Sequence, residues 1–346
     1  MAALISSRNV HVRAAQAGEG RQVAGLWREL WEAHEGWGGY AATRDERAYA
    51  QLAIRLDEDA RIRGGHPLLG RHVHLVAAIG DDLVGQVEGW LERQGEDAET
   101  PLTCEVRSLV VTKGAREGGL ARALLAALSR EARTFSGGAP VLLAAEVLDP
   151  NPAQAFYEHL GFRPVSWSTR IATERRGRGR HDTPIRARAG TADDAVAIAL
   201  LETVLAGRRR RAKDARFDRP RALDAALASA IALHLSQRPT SPFDPVELVA
   251  DDRGRVRGNA CFVTNWLDYP FAPARRAILG RIVLDPAEPE PLRLLEPIVV
   301  QACRHAITAE APTMEITDLD GPGGPLYTAT QALGARPWSR IMLRAY

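Results

Sequence analysis

The stretch VRAAQAGEGRQVAGL, beginning at Val12, reappears as IRARAGTADDAVAIA beginning at Ile185, 173 residues later. The same shift carries VHLVAAIGDDLVG (from Val73) onto VELVADDRGRVRG (from Val246), and RSLVV (107–111) onto GRIVL (280–284). It also carries NPAQAFYEHLGFRP (from Asn151) onto GPLYTATQALGARP (from Gly324). One offset at four places, equal to half of the 346 residues, marks a duplicated unit. Two domains is also what this length suggests. The expected division is a first copy over 1–173, a linker over 174–184 and a second copy over 185–346. The linker lies in ATERRGRGRHDTP, which is polar, rich in Arg and Gly, and without periodicity.

Each copy mixes strand and helix patterns. In the first, a short strand at 10–14 precedes amphipathic helices over 22–35 and 44–56. Strands near 72–79, 83–92 and 104–111 follow, with IGDDLVG reading as a hairpin turn. A helix over about 117–133, a strand at 140–147, a helix at 152–160 and a strand near 163–171 complete it. The fold class expected is α/β, with a mixed α+β sheet in each copy.

Composition excludes more than it selects. Hydrophobic residues make up 45% and charged residues 25%, with a net charge of +2, which gives no electrostatic case for nucleic acid. The three cysteines, 104, 261 and 303, are too widely spaced for a disulfide framework or a metal site. No apolar run approaches the ~20 residues needed to cross a bilayer, and the N-terminus lacks a signal-peptide pattern. The expectation is a soluble cytoplasmic protein with no metal, no nucleic acid and no membrane partner.

Chemistry concentrates where VVTKG runs into REGGLARALLAAL. Two glycines at the first turn of a helix cost roughly 1 kcal/mol each against alanine. They make sense where an anion approaches the backbone, because a helix N-terminus presents unpaired N–H groups and a positive dipole end. On the strand before it, alternation puts Glu105, Arg107, Leu109 and Val111 on one face, so that Glu105 looks into the same cleft as Val111.

The order strand, glycine-led helix, strand, short helix with FYEHLGF resembles the GNAT acetyltransferase superfamily. Its pyrophosphate signature R/Q-x-x-G-x-G/A is matched by Arg116, Glu117, Gly118, Gly119, Leu120 and Ala121, with Glu117 standing where glycine is common. The resemblance implies two tandem GNAT-like domains, each a twisted, mostly antiparallel sheet flanked by helices. It implies acetyl-CoA as cosubstrate, with the pantetheine arm along Leu109, Val110 and Val111. Asn151 falls in the second coenzyme motif, one residue closer to Tyr157 than is usual. Tyr157 matches the tyrosine that protonates the leaving thiolate, and its other reading is a core aromatic. Glu105 has the spacing of a general base in some relatives and reads equally as a solvated edge carboxylate. Trp27, Trp31, His34, Trp37 and Tyr40 lie where relatives wall the acceptor pocket, although such a stripe is also ordinary core.

Shifted by 173, Glu105 becomes Ile278, Arg116 becomes Pro289, Gly119 becomes Leu292 and Tyr157 becomes Thr330. The second copy is therefore expected to keep the fold and to lack a coenzyme site. The activity implied is transfer of an acetyl group to an amine of a small molecule, an antibiotic or metabolite, in a ternary complex. The alternatives are an acyl-CoA-binding sensor or pseudoenzyme, and a protein lysine or N-terminal acetyltransferase. Homodimer formation stays open.

Overall fold

The computed structural model describes residues 10–63, 71–93, 101–174, 184–217, 225–237, 241, 243–267 and 271–346. Most of the expected linker lies outside them. Two compact units are present. Unit 1 comprises Met1–Arg163 together with Asp268–Pro273 and Met342–Tyr346; unit 2 comprises Pro164–Leu267 and Ala274–Ile341. The units are thus drawn differently from the sequence repeat, since each contains a segment from the other copy.

Unit 1 begins with strand β1 (Val10–Ala14) and helices α1 (Gly20–Gly36) and α2 (Glu46–Ile62). Asp45 starts α2 by accepting from the Arg47 N–H at 2.9 Å. The two helices meet closely at Gly20, where a Cβ would lie 2.1 Å from the Ala53 carbonyl oxygen, so only glycine fits. Strands β2 (His72–Ile79) and β3 (Asp82–Arg93) follow, joined by the tight turn Gly80–Asp81 that IGDDLVG encodes. Then come β4 (Leu102–Val111), α3 (Leu120–Ser136), β5 (Val141–Leu148) and α4 (Ala153–His159). The sheet order is β1-β2-β3-β4-β5, and Tyr346 exchanges backbone hydrogen bonds with Val141 beyond β5.

Strand alternation gives this sheet two apolar faces. Leu75, Val87, Cys104, Val106 and Val111 pack with Leu124, Leu125 and Leu128 of α3, while Val76, Ala78 and Val110 pack with Val23, Leu26, Leu52 and Leu56 of α1 and α2. Truncating a fully buried leucine such as Leu128 to alanine costs about 2–5 kcal/mol.

Unit 2 holds β6 (Arg163–Ala172), from Pro164 onward, then β7 (Ile185–Ala189), α5 (Ala195–Arg211), α6 (Ala225–Ser236), β8 (Val246–Asp252) and β9 (Arg255–Leu267). It continues with β10 (Ala274–Leu284), α7 (Pro291–Thr308), β11 (Thr313–Leu319), α8 (Pro325–Ala332) and β12 (Arg336–Ala345), which belongs to unit 2 up to Ile341. The sheet order is β12-β6-β11-β10-β9-β8-β7. Strand β6 pairs antiparallel with β11, Ala172 opposite Thr313, inside unit 2. The core gathers Leu294, Ile298, Val299 and Ala302 of α7 under Leu248, Leu279 and Ile316 of the sheet.

Candidate functional site

Strands β4 and β5 run parallel and pair from Leu102–Val141 to Val106–Ala145, and no further among the described residues. Past that point β4 continues to Val111 with β3 on one side only. The parting starts at Ser108, whose φ of 50° inserts one extra residue opposite β3, between the pairs Glu88–Arg107 and Gln86–Val110. A slot opens there whose wall is strand backbone, so an extended, amide-bearing molecule can pair with it as an added strand would.

The bulge also corrects the expected alternation. Glu105 and Arg107 share the α1/α2 face with Val110, whereas Val111 packs under α3 on the opposite face. An extra residue moves every later side chain across the sheet. Glu105 therefore does not look out beside Val111. Its carboxylate is half-exposed and accepts from Arg107 Nη2 at 2.6 Å.

Beyond β4 the chain makes a tight turn of helix over Lys113–Gly118, and α3 begins at Leu120, three residues later than the sequence suggests. Gly119 is its N-cap, with a φ of 71°. A Cβ there would meet no atom within 4 Å. The glycine is thus required by the left-handed conformation, and it also leaves the backbone open to an approaching anion. Arg116 folds back from this turn: its Nε donates to the Val111 carbonyl at 3.0 Å, and its Nη2 lies 3.3 Å from Glu29 Oε1. The side chain of Glu117 lies outside the described residues.

Residues 70–164, which contain slot and turn, match the family model of the acetyltransferase (GNAT) domain. No curated protein matches the sequence. A GCN5-related N-acetyltransferase from Sphaerobacter thermophilus has a TM-score of 0.58 at 16% identity, the match covering 98% of this chain and 95% of that one. A tandem GNAT protein from the clavulanic acid biosynthesis pathway has a TM-score of 0.52 at 18% identity, with 97% and 98% covered. The fold is that of the tandem GNAT acetyltransferases.

Within the first GNAT domain, Tyr157 sits on α4 in the core under α3, edge-on to Phe156 and Phe162 with centroids 5.5 and 5.1 Å away. Burial pushes its phenol up from the ordinary value, so it is protonated at neutral pH. Asn151 is buried, and its Oδ1 accepts from the Ala153 N–H at 2.8 Å, which starts α4.

The aromatic residues of α1 and the following loop do come together. Trp31 lies 6.4 Å from Trp27 and 4.8 Å from His34, and His34 lies 5.4 Å from Trp37. Tyr40 joins through Phe271, whose ring is 5.9 Å from Tyr40 and 4.6 Å from Trp31. Phe271 belongs to the second copy and is invisible to any reading of the first. Burial in this group pushes His34 down to about 4.

Sequence reading also missed a buried polar stripe on the α1/α2 face. His72 Nε2 donates to Glu88 Oε1 at 3.1 Å, His74 Nε2 to Gln86 Oε1 at 3.0 Å, and the His72 ring stacks on Trp90 at 4.6 Å. Burial opposes the charge of Glu88, but the hydrogen bond from His72 and the proximity of His74 hold its carboxyl below the usual range. The signal was present: HVH and QVE place polar residues at every second position of neighbouring strands.

The second copy repeats the bulge. Arg281, 173 residues after Ser108, has a φ of 52°, and the β9–β10 register breaks between Gly280 and Val283. Here the surroundings are filled. The Arg281 guanidinium pairs with Glu202 and with Glu247, the latter at 3.2 Å, and its N–H donates to Asp318 Oδ2 at 2.9 Å. Arg208 Nη2 donates to the carbonyls of Ile282 and Asp318, both at 3.0 Å. Helix α7 starts at Pro291 behind Glu290, with no glycine.

Proposed function

We propose that the first GNAT domain transfers the acetyl group of acetyl-CoA to an amine of a small molecule by direct attack in a ternary complex. The observation that carries this is the parted β4/β5 slot leading straight to the Arg116–Ala121 turn. The slot suits the amides of a pantetheine arm, and the turn suits its pyrophosphate, since the first N–H groups of α3 lack helical acceptors. The amine lone pair forms the C–N bond, the C–S bond breaks, and the sulfur leaves as a thiolate. Tyr157, held protonated by burial, gives the thiolate its proton. Glu105, steadied by Arg107, takes the proton released by the attacking nitrogen. The aromatic group from Trp27 to Tyr40 forms a wall for the apolar part of the acceptor.

Tyr157→Phe tests the chemistry apart from binding: kcat falls ~10²-fold while the Kd for acetyl-CoA stays nearly constant. Full activity in that variant would return Tyr157 to the core alone. Calorimetry showing no acetyl-CoA binding to the parent would sink the whole reading. A panel of amines scored by thiol release identifies the acceptor class. Binding without thiol release across that panel marks an acyl-CoA sensor instead, and release only with lysine or N-terminal peptides marks a protein acetyltransferase.

A further inference from the structure

Helix α5 ends in four successive arginines, Arg208–Arg211, at positions where the first copy has Glu35, Gly36, Trp37 and Gly38. Whatever they do is peculiar to unit 2. Three of them, Arg208, Arg209 and Arg211, line a cavity of about 260 Å³ inside unit 2. Val165, Trp167 and Leu319 add an apolar part to the lining, with Gly321 close against the indole.

Two carboxylates also line this cavity, and both already hold partners, Asp318 on the lining residue Arg209 itself. Asp318 pairs with Arg209 and accepts the Arg281 N–H, while Asp320 accepts the N–H groups of Leu326 and Tyr327 at the start of α8. Arg208 is left without an ion pair among the described residues. Its hydrogen bonds run from one nitrogen, Nη2, to two carbonyls, and the residue lines the cavity. Burial and the neighbouring Arg209 outweigh the proximity of Asp320 and Asp318 and push its pKa down to about 10, so a further anion beside it would stabilise its charge. An arginine fork matches a carboxylate in two parallel hydrogen bonds.

We propose that this cavity in the second domain binds a small organic carboxylate with a flat apolar body, the acid on Arg208 and the body against Trp167. The volume is just under the ~300–1,000 Å³ of pockets for larger ligands, which suits a single substituted ring. A bare phosphate or acetate would leave the apolar wall wet. The site is separate from the slot of the first domain, and it stands whether or not that domain acetylates amines.

The test uses benzoate, inorganic phosphate and acetate on the full chain, read by thermal shift and calorimetry. Benzoate should raise Tm saturably, and more than phosphate or acetate at equal concentration and ionic strength. Ala212 is exposed at the rim, so Ala212→Glu adds an anion there without removing any arginine contact. It should weaken benzoate at least tenfold, whereas Ala212→Gln, equal in size and neutral, should bind as the parent does. Arg208→Gln should also weaken benzoate, and acetyl-CoA affinity should not change in the Ala212 variants. No saturable benzoate effect in the parent, or equal binding in Ala212→Glu and Ala212→Gln, overturns the proposal. Phosphate binding more tightly than benzoate overturns the apolar half of it.

Discussion

The ends of β4 and β10 descend from one pattern and do opposite things with it. Both carry a bulge whose central residue has a positive φ, Ser108 in one and Arg281 in the other. At Ser108 the side chain is small and hydrogen-bonds Glu88, and the strand edge beyond it has no β5 partner. At Arg281 a guanidinium fills the corresponding space with ion pairs to two buried glutamates, while Arg208 takes up two backbone carbonyls. A bulge is thus a reusable frame. Whether it presents an open slot or a closed one depends on the charge and length of the residue placed on it.

The largest expected effect breaks the notion of independent copies. A chain ending at Ala172 loses Met342–Tyr346 from unit 1 and leaves β6 without β11. Exposed strand edges aggregate, so this fragment should not elute as a folded monomer. Cooperative unfolding of a monodisperse fragment would show that the first repeat needs neither exchange.

Next comes the pair Gly119→Glu and Leu292→Glu, one substitution at equivalent positions. The first puts a carboxylate, and left-handed strain of about 1–2 kcal/mol, at the head of α3. It should abolish acetyl-CoA binding by calorimetry, and the second should leave the affinity unchanged in protein that still unfolds cooperatively. Two coenzyme equivalents per parent chain would contradict the difference between the domains.

Arg281→Ala and Ser108→Ala sharpen the contrast at the bulge itself. Removing Arg281 strands Glu202 and Glu247, both buried, and should cost about 2–3 kcal/mol, less than a fully buried pair because the guanidinium is itself half-exposed. Ser108→Ala removes one hydrogen bond and should cost about 0.5–1.5 kcal/mol. Equal costs in urea titrations would mean that the two bulges are filled alike.

The smallest effect is acid sensitivity. Burial lowers His34 from 6.5 to about 4, and the second copy has Gly207 at that position. Between those values the unfolded chain binds the proton that the folded chain refuses, so stability falls as pH drops through the window. His34→Gln should therefore lose less stability than the parent from pH 6.5 to about 5, by about 1.5 kcal/mol. Identical pH profiles would place His34 in contact with water.

Much of the candidate site was legible because it rests on local rules. Gly119 is written into the sequence by a backbone conformation that other residues resist, and the stripe from Trp27 to His34 by helical spacing. The face of Val111 was misread because nothing in SLVV announces a bulge; the extra residue is fixed by pairing with β3. The capping bond of Asn151 was not read, because an asparagine two residues before a helix can cap it or reach outward, and its neighbours decide. Phe271 could not be found at all, since it joins the aromatic group from 231 residues beyond Tyr40.

By itself, the sequence determined that the chain is a duplication, that each copy is a mixed α/β unit, and that glycines head the helix in one copy only. These follow from periodicity, turn chemistry and backbone sterics, which act over a few residues. The tertiary structure decided which strand lies beside which. Strands β6 and β12 look alike in pattern, and neither repeats a register mark that names its neighbour. Hydrogen bonds along a strand edge are open to any strand of suitable length. Only the assembled fold assigned β6 to β11, and Tyr346 to Val141.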